Sequence, residues 1–128
     1  MRRVSVFGAT GSIGQNTLDL IGRDPSSYRV VVLTGGRNVA QLAADAVRLR
    51  AEVAVVADEA LLPDLRAALA GSGVEAGAGR HALLEAADRP ADWVMSAIVG
   101  AAGLEPGLRA LRQGATLALA NKESMVCA

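Results

Sequence analysis

Short apolar runs alternate with amphipathic stretches from one end of the chain to the other. Arg3–Phe7, Arg29–Leu33, Val53–Val56, Trp93–Ile98 and Thr116–Ala120 read as strands. Runs that are apolar without alternation, such as Val30-Val31-Val32-Leu33, are those of strands covered on both faces. A weaker strand, Val74–Ala76, lies among the four glycines between Gly71 and Gly79. Between the strands the apolar period lengthens to that of a helix. Ser12–Ile21 is the first such segment. Asn38 caps the second, with Gln41 completing a capping-box-like pair, and the helix runs to about Arg50 with Val39, Leu42, Ala43, Ala46 and Leu49 on one face. A third region, capped by Asp58, ends near Ala70, and Pro63 predicts that its helix either starts late or has a loose first turn. His81–Ala87 forms a fourth helix, stopped by Pro90. Pro106 fits the first turn of a fifth, which runs to Arg112 and is closed by Gly114. Alternation of this kind predicts an α/β fold: a Rossmann-like, doubly wound parallel sheet with helices on both faces.

Composition narrows the picture. The 128 residues suffice for one domain. With 52% hydrophobic but only 2% aromatic residues, Ala, Val and Leu must build the core. Lys plus Arg and Asp plus Glu number 13 each, so no bulk charge favours nucleic acid or an anionic membrane. No apolar run reaches the ~18 residues of a membrane span, and no signal-peptide apolar region follows Met1-Arg2-Arg3. The single cysteine, Cys127, cannot pair within the chain, so a reducing, cytoplasmic setting is expected.

In open α/β sheets ligands lie at the carboxyl ends of the strands. Four polar or glycine-rich segments fall there: Gly8–Gly14, Thr34–Asn38, Ala97–Gly103 and Asn121–Ser124. The first, Gly8-Ala9-Thr10-Gly11-Ser12-Ile13-Gly14, follows a strand and opens a helix. Its glycines permit a tight turn and close approach to a diphosphate, which the N–H groups at the helix start would receive. An NAD-selective site places Asp or Glu about 20 residues beyond such a turn. Here that corner reads Thr34-Gly35-Gly36-Arg37-Asn38 and holds no acid. Arg37 would attract a 2′-phosphate, and the glycines leave it room, so the residues favour NADP over NAD. The alternative for Arg37 is a solvated surface residue.

A catalytic set is not evident. His81, the only histidine, suits a helix end or the surface, and no Cys/His cluster has metal-ligand spacing. The YxxxK pair of short-chain dehydrogenases is missing, because Tyr28 is followed by Arg29-Val30-Val31-Val32. Lys122, the only lysine, stands at a strand end, where it would meet an anionic or hydroxyl-bearing substrate; the alternative, which composition alone favours, is one charged residue on a solvent-exposed loop.

Four blocks carry a resemblance. Gly8–Gly14 with Asn16-Thr17-Leu18-Asp19, then Gly36-Arg37-Asn38-Val39, then Ala97–Leu104, then Leu119-Ala120-Asn121-Lys122-Glu123-Ser124 resemble the 1-deoxy-D-xylulose 5-phosphate reductoisomerases, in that family's order and over the whole chain. The resemblance implies rearrangement of 1-deoxy-D-xylulose 5-phosphate and its reduction by NADPH to 2-C-methyl-D-erythritol 4-phosphate, the committed step of the non-mevalonate isoprenoid pathway. A divalent metal, Mg²⁺ or Mn²⁺, would hold the substrate oxygens. By the same resemblance Thr10, Gly11, Ser12 and Ile13 would cradle the cofactor diphosphate. Gly36, Arg37 and Asn38 would surround the 2′-phosphate, with Arg37 where many members have lysine. Asn121 and Glu123 would also meet the cofactor, and Lys122 the substrate. The family's metal carboxylates, lid and C-terminal helices fall downstream of Ala128. The expectation is therefore an N-terminal NADPH-binding domain, residues 1–128, inactive alone and part of a homodimeric enzyme. Another NADP-dependent reductase domain, or a non-catalytic NADP-sensing module, is the alternative reading of the same glycine turn.

Overall fold

The computed structural model of the chain describes residues 2–98 and 104–119. Its strands are β1 (Arg2–Phe7), β2 (Tyr28–Gly35), β3 (Val53–Val56), β4 (Glu75–Ala78), β5 (Trp93–Ser96) and β6 (Thr116–Leu119). The helices are α1 (Ser12–Arg23), α2 (Val39–Leu49), α3 (Leu62–Ala68), α4 (Gly79–Ala87) and α5 (Leu104–Arg112). All six strands are parallel, in the order β4-β3-β2-β1-β5-β6.

The sheet is apolar on both sides because helices cover both. Val4, Val6 and Leu33 pack with Leu18, Ile21, Leu42, Ala46 and Leu65, which come from α1, α2 and α3. Phe7, Val32, Val55 and Val94 pack on the other side with Ala86, Ala87 and Ala110, from α4 and α5. Alanine at so many contact points lets the helices lie close to the strands, as the near absence of aromatics requires. The chain winds from β1 out to β4 on one face, then returns through α4 to β5 and continues on the other. The winding therefore reverses between β1 and β5, where a crevice must open at the carboxyl ends of the strands.

Several boundaries differ from the sequence reading for physical reasons. β2 runs two residues past its apolar run, because Thr34 and Gly35 pair with Val55 and Val56. Its register against β1 also slips by one: Val4 faces Val30, but Ser5 faces Val32. The extra residue puts Val31 and Val32 together toward α4 and α5, while Val30 and Leu33 face α1–α3. The third helical region divides. Asp58 caps a short 3₁₀ turn over Glu59–Leu61 by accepting from the Ala60 N–H at 3.0 Å, and α3 follows with Pro63 in its first turn. α4 begins at Gly79, two residues earlier than expected, because Gly79 takes φ +85° and turns the chain directly from β4 into the helix. β5 stops at Ser96 rather than Ile98.

Candidate functional site

The glycine turn joins β1 to α1 at the reversal point. Gly8 takes φ +84°, and a Cβ there would stand 3.0 Å from the backbone of Ala97, so the chain leaving β5 closes tightly on the turn. Gly14 is buried against the turn itself. A Cβ there would overlap the Gly8 carbonyl oxygen and lie 2.7 Å from the Ala9 Cα. Gly11 differs, since the nearest atom to a Cβ there is 3.8 Å away. Gly14 thus serves packing, whereas Gly11 keeps open a space that no described residue fills.

Thr34 anchors the turn from below. Its Oγ1 accepts from the Gly8 N–H at 2.8 Å, and its carbonyl accepts from the Ala9 N–H at 2.7 Å. Thr10 then rests beside Gly35, where a Cβ would come 3.1 Å from the Thr10 methyl. The first N–H of α1 with an intrahelical acceptor is that of Gln15, which donates to the Gly11 carbonyl at 2.8 Å. Among the described residues nothing accepts from the N–H groups of Ser12, Ile13 and Gly14, which leaves them for a ligand, and the first turn of α1 carries no acid. Gly11, Ser12 and Ile13 are all exposed. Free donors and the positive end of the helix dipole converge on one point, which suits an anion.

A cleft of about 410 Å³ runs from this turn across the ends of β2 and β3 to the start of α4, lined among others by Gly8, Gly35, Gly36, Ala57, Arg80 and Ile98. Its walls are mostly small and apolar, as a nucleoside requires. A larger hollow of about 660 Å³ opens at the opposite end of the strands, beside Tyr28, Arg29, Arg48 and Arg50. Volume favours the second, but chemistry favours the first. Arg29 and Arg48 are paired with Glu52 and Asp45, and no helix N-terminus opens there.

Arg37 and Asn38 sit at the rim where β2 ends. The Arg37 side chain is 82% exposed, with Nε 3.6 Å from the Asp58 carboxylate. A Cβ on Gly36 would meet nothing within 4 Å. Asn38 caps α2 by accepting from the Gln41 N–H at 3.2 Å. The other half of the expected capping box does not form. The Gln41 amide turns instead to the Asp45 carboxylate, at 3.1 Å to both oxygens.

The sequence placed Thr34 at this site only as the start of the Thr34–Asn38 segment, and Gln15, Asp45 and Asp58 were missed as parts of it. The one signal available was Asp45, an acid one position before the apolar stripe residue Ala46. It is 3% exposed and receives hydrogen bonds from Gln15, Gln41 and Arg48. His81 has a surface place, with its Nε2 2.8 Å from Glu85. Asn121, Lys122 and Glu123 lie outside the described residues, as do Val99–Gly103. Among the described residues no group of three or more His, Cys, Asp or Glu is arranged for a metal ion, and no helix is long and apolar enough to cross a membrane.

Residues 4–128 match the family described as 1-deoxy-D-xylulose 5-phosphate reductoisomerase. The chain is 78% identical over 127 residues to the protein of that name from Jannaschia sp. (strain CCS1), covering 99% of this chain and 32% of the relative. It is 76% identical over 128 residues to that of Ruegeria pomeroyi, covering 100% and 32%. The chain thus spans about a third of the length of the curated relatives it matches. Among solved structures, the Zymomonas mobilis enzyme in complex with NADPH superposes with a TM-score of 0.96 at 58% identity, over 99% of this chain and 34% of that one. A reductoisomerase in complex with NADPH, fosmidomycin and magnesium gives a TM-score of 0.91 at 37% identity, over 98% and 31%.

Proposed function

Because the chain belongs to the 1-deoxy-D-xylulose 5-phosphate reductoisomerase family, we propose that residues 1–128 are its NADPH-binding domain. In the whole protein they would serve the isomerisation and reduction of 1-deoxy-D-xylulose 5-phosphate to 2-C-methyl-D-erythritol 4-phosphate, in a cytoplasmic homodimer. The observation that carries this reading is the space above Gly11. It is bounded by the N–H groups of Ser12, Ile13 and Gly14, which have no acceptor among the described residues, and no described residue fills it.

Thr10, Gly11, Ser12 and Ile13 bind the diphosphate in this reading, through backbone donors that need no charge of their own. The mostly apolar cleft over Gly35 and Ala57 takes the adenosine, and Ile13, 47% exposed, covers the bound nucleotide from the helix side. Gly36, Arg37 and Asn38 receive the 2′-phosphate. Arg37 supplies the charge, Gly36 the space, and Asn38 the cap that fixes where α2 begins. Asn121 and Glu123 add cofactor contacts, and Lys122 holds the substrate. The bound cofactor supplies a hydride. A divalent metal, Mg²⁺ or Mn²⁺, is held by residues of the whole protein outside these 128.

The test is calorimetric titration of the chain and its Arg37→Glu variant with NADPH and with NADH. A charge-assisted hydrogen bond is worth about 1.5–3 kcal/mol, so the variant should lose NADPH affinity by about tenfold to hundredfold. NADH affinity should change little. Equal losses for both nucleotides would remove Arg37 from the 2′-phosphate site.

A further inference from the structure

The glycine turn is held from the α2 side by a hydrogen-bonded chain of side chains. The Gln15 amide nitrogen donates to the Ala9 carbonyl at 2.8 Å and to the Asp45 carboxylate at 2.7 Å, so both its protons are used. Asp45 is buried, and Gln41 and Arg48 donate to it as well, at 3.1 and 3.2 Å. A buried carboxylate is tolerated when its oxygens are this fully engaged. Asp45 accepts only, which fixes which end of the Gln15 amide faces it. The Gln15 nitrogen must therefore face both Asp45 and Ala9.

The consequence falls on one peptide unit. A trans peptide is planar, with its N–H directed opposite to its C=O. Holding the Ala9 carbonyl toward the Gln15 amide points the Thr10 N–H away from that amide. If this peptide flipped, a carbonyl oxygen would stand where a donor now stands, and a diphosphate would meet a negative dipole. The turn offers little else to prevent the flip. The Gly11 N–H reaches the Gly8 carbonyl only at 3.4 Å, and Thr34 fixes the N–H groups of Gly8 and Ala9, which belong to the two preceding peptides.

We propose that Gln15 and Asp45 are positioning residues that fix the Ala9–Thr10 peptide in the orientation that presents the Thr10 N–H to the nucleotide diphosphate. This rests on the nucleotide-binding reading above. The same chain ties the turn to α2, which follows directly on the 2′-phosphate corner at Gly36–Asn38, because Gln41 and Asp45 both belong to that helix. The two phosphate sites are thus held in one frame.

The test compares the wild-type chain, Gln15→Glu, and Gln15→Glu combined with Asp45→Asn. Each is melted and titrated with NADPH and NADH at about pH 8, well above the carboxyl range. Gln15→Glu sets two carboxylates against each other and takes the donor from the Ala9 carbonyl. It should lower the melting temperature and weaken both nucleotides by the same factor, about tenfold. In the double variant the amide introduced on α2 donates to the carboxylate introduced on α1, so the two side chains are bonded again with polarity reversed. Melting should recover. The introduced carboxylate has no proton for the Ala9 carbonyl, so both affinities should stay about tenfold weak. Recovery of affinity together with melting would overturn the proposal, because Gln15 and Asp45 would then be structural only. Should Gln15→Glu fail to fold, Gln15→Met makes the same comparison without the repulsion. Wild-type affinity in that variant would overturn the proposal as well. A wild-type chain that binds neither nucleotide would instead remove the nucleotide reading, and this inference with it.

Discussion

Gly14→Ala should damage the fold, whereas Gly11→Val, three residues earlier in the same turn, should damage only binding. At Gly14 an added Cβ stands 2.7 and 2.8 Å from Ala9 backbone atoms, where ordinary contact begins at 3.4 Å. The turn would have to retreat by at least about 0.7 Å, more at the Gly8 carbonyl oxygen that the Cβ overlaps, and the clashing atoms are backbone, which cannot rotate away. The 2.7 and 2.8 Å hydrogen bonds to Thr34 resist that movement. Overpacking of this kind costs about 1–3 kcal/mol, and strained hydrogen bonds add about 1. The better helix propensity of alanine returns about 1 kcal/mol. A net loss of about 1–3 kcal/mol should lower the melting temperature by about 4–12 °C in a domain of this size. At Gly11 the backbone has φ −77° and ψ 171°, which valine adopts freely, and the nearest atom to a Cβ is 3.8 Å away. Gly11→Val should therefore melt with the wild type and bind NADPH about thirtyfold more weakly or worse, the equivalent of about 2 kcal/mol of overlap. Differential scanning fluorimetry and calorimetry on both variants decide it. A Gly14→Ala chain as stable as wild type, or a Gly11→Val chain that binds normally, would refute the division of roles.

Asp58→Asn should strengthen NADPH binding a few-fold and leave NADH and the melting temperature unchanged. It frees Arg37 from an exposed pair worth about 0–1 kcal/mol, while asparagine still caps the Glu59–Leu61 turn; weaker NADPH binding in calorimetry would contradict it. At the other end of β1, the Arg3 backbone N–H, and then its guanidinium, hold Asp92 below the ordinary carboxylate range. A depressed carboxyl pKa stabilises the fold above the unfolded value of about 3.9 and ceases to do so as pH falls through the lower folded value. Asp92→Asn should therefore melt slightly below wild type at neutral pH, with the two melting temperatures converging in acid. A gap that widens in acid would reverse the sign of the argument.

What was legible in the sequence is what neighbouring residues determine together. The strand–helix alternation follows from local apolar periods, and the glycine turn from three glycines spaced within seven residues. The irregular helix start beside Pro63 and the Asn38 cap were readable for the same reason. What escaped depends on partners far apart in sequence. The slip of β2 at Val31 exists only in its pairing with β1. Gln15 reads as one polar position of α1 until Asp45, 30 residues on, is placed against it. Gln41 satisfied the capping-box spacing, yet its amide is drawn to a buried carboxylate instead of back to the Asn38 N–H. Arg37 was legible as a cation without an acid in its own segment. The acid that it meets, Asp58, comes from just beyond the end of β3.

The central claim is that the nucleotide lies across the Gly8–Gly14 turn with its 2′-phosphate at Gly36–Asn38. Backbone amide NMR of the ¹⁵N-labelled chain, titrated with NADPH and with NADH, tests this most directly. Both nucleotides should shift the amides of Thr10–Gly14, and the difference between them should concentrate at Gly36, Arg37 and Asn38. Shifts centred instead on Tyr28, Arg48 and Arg50, at the opposite end of the strands, would contradict it.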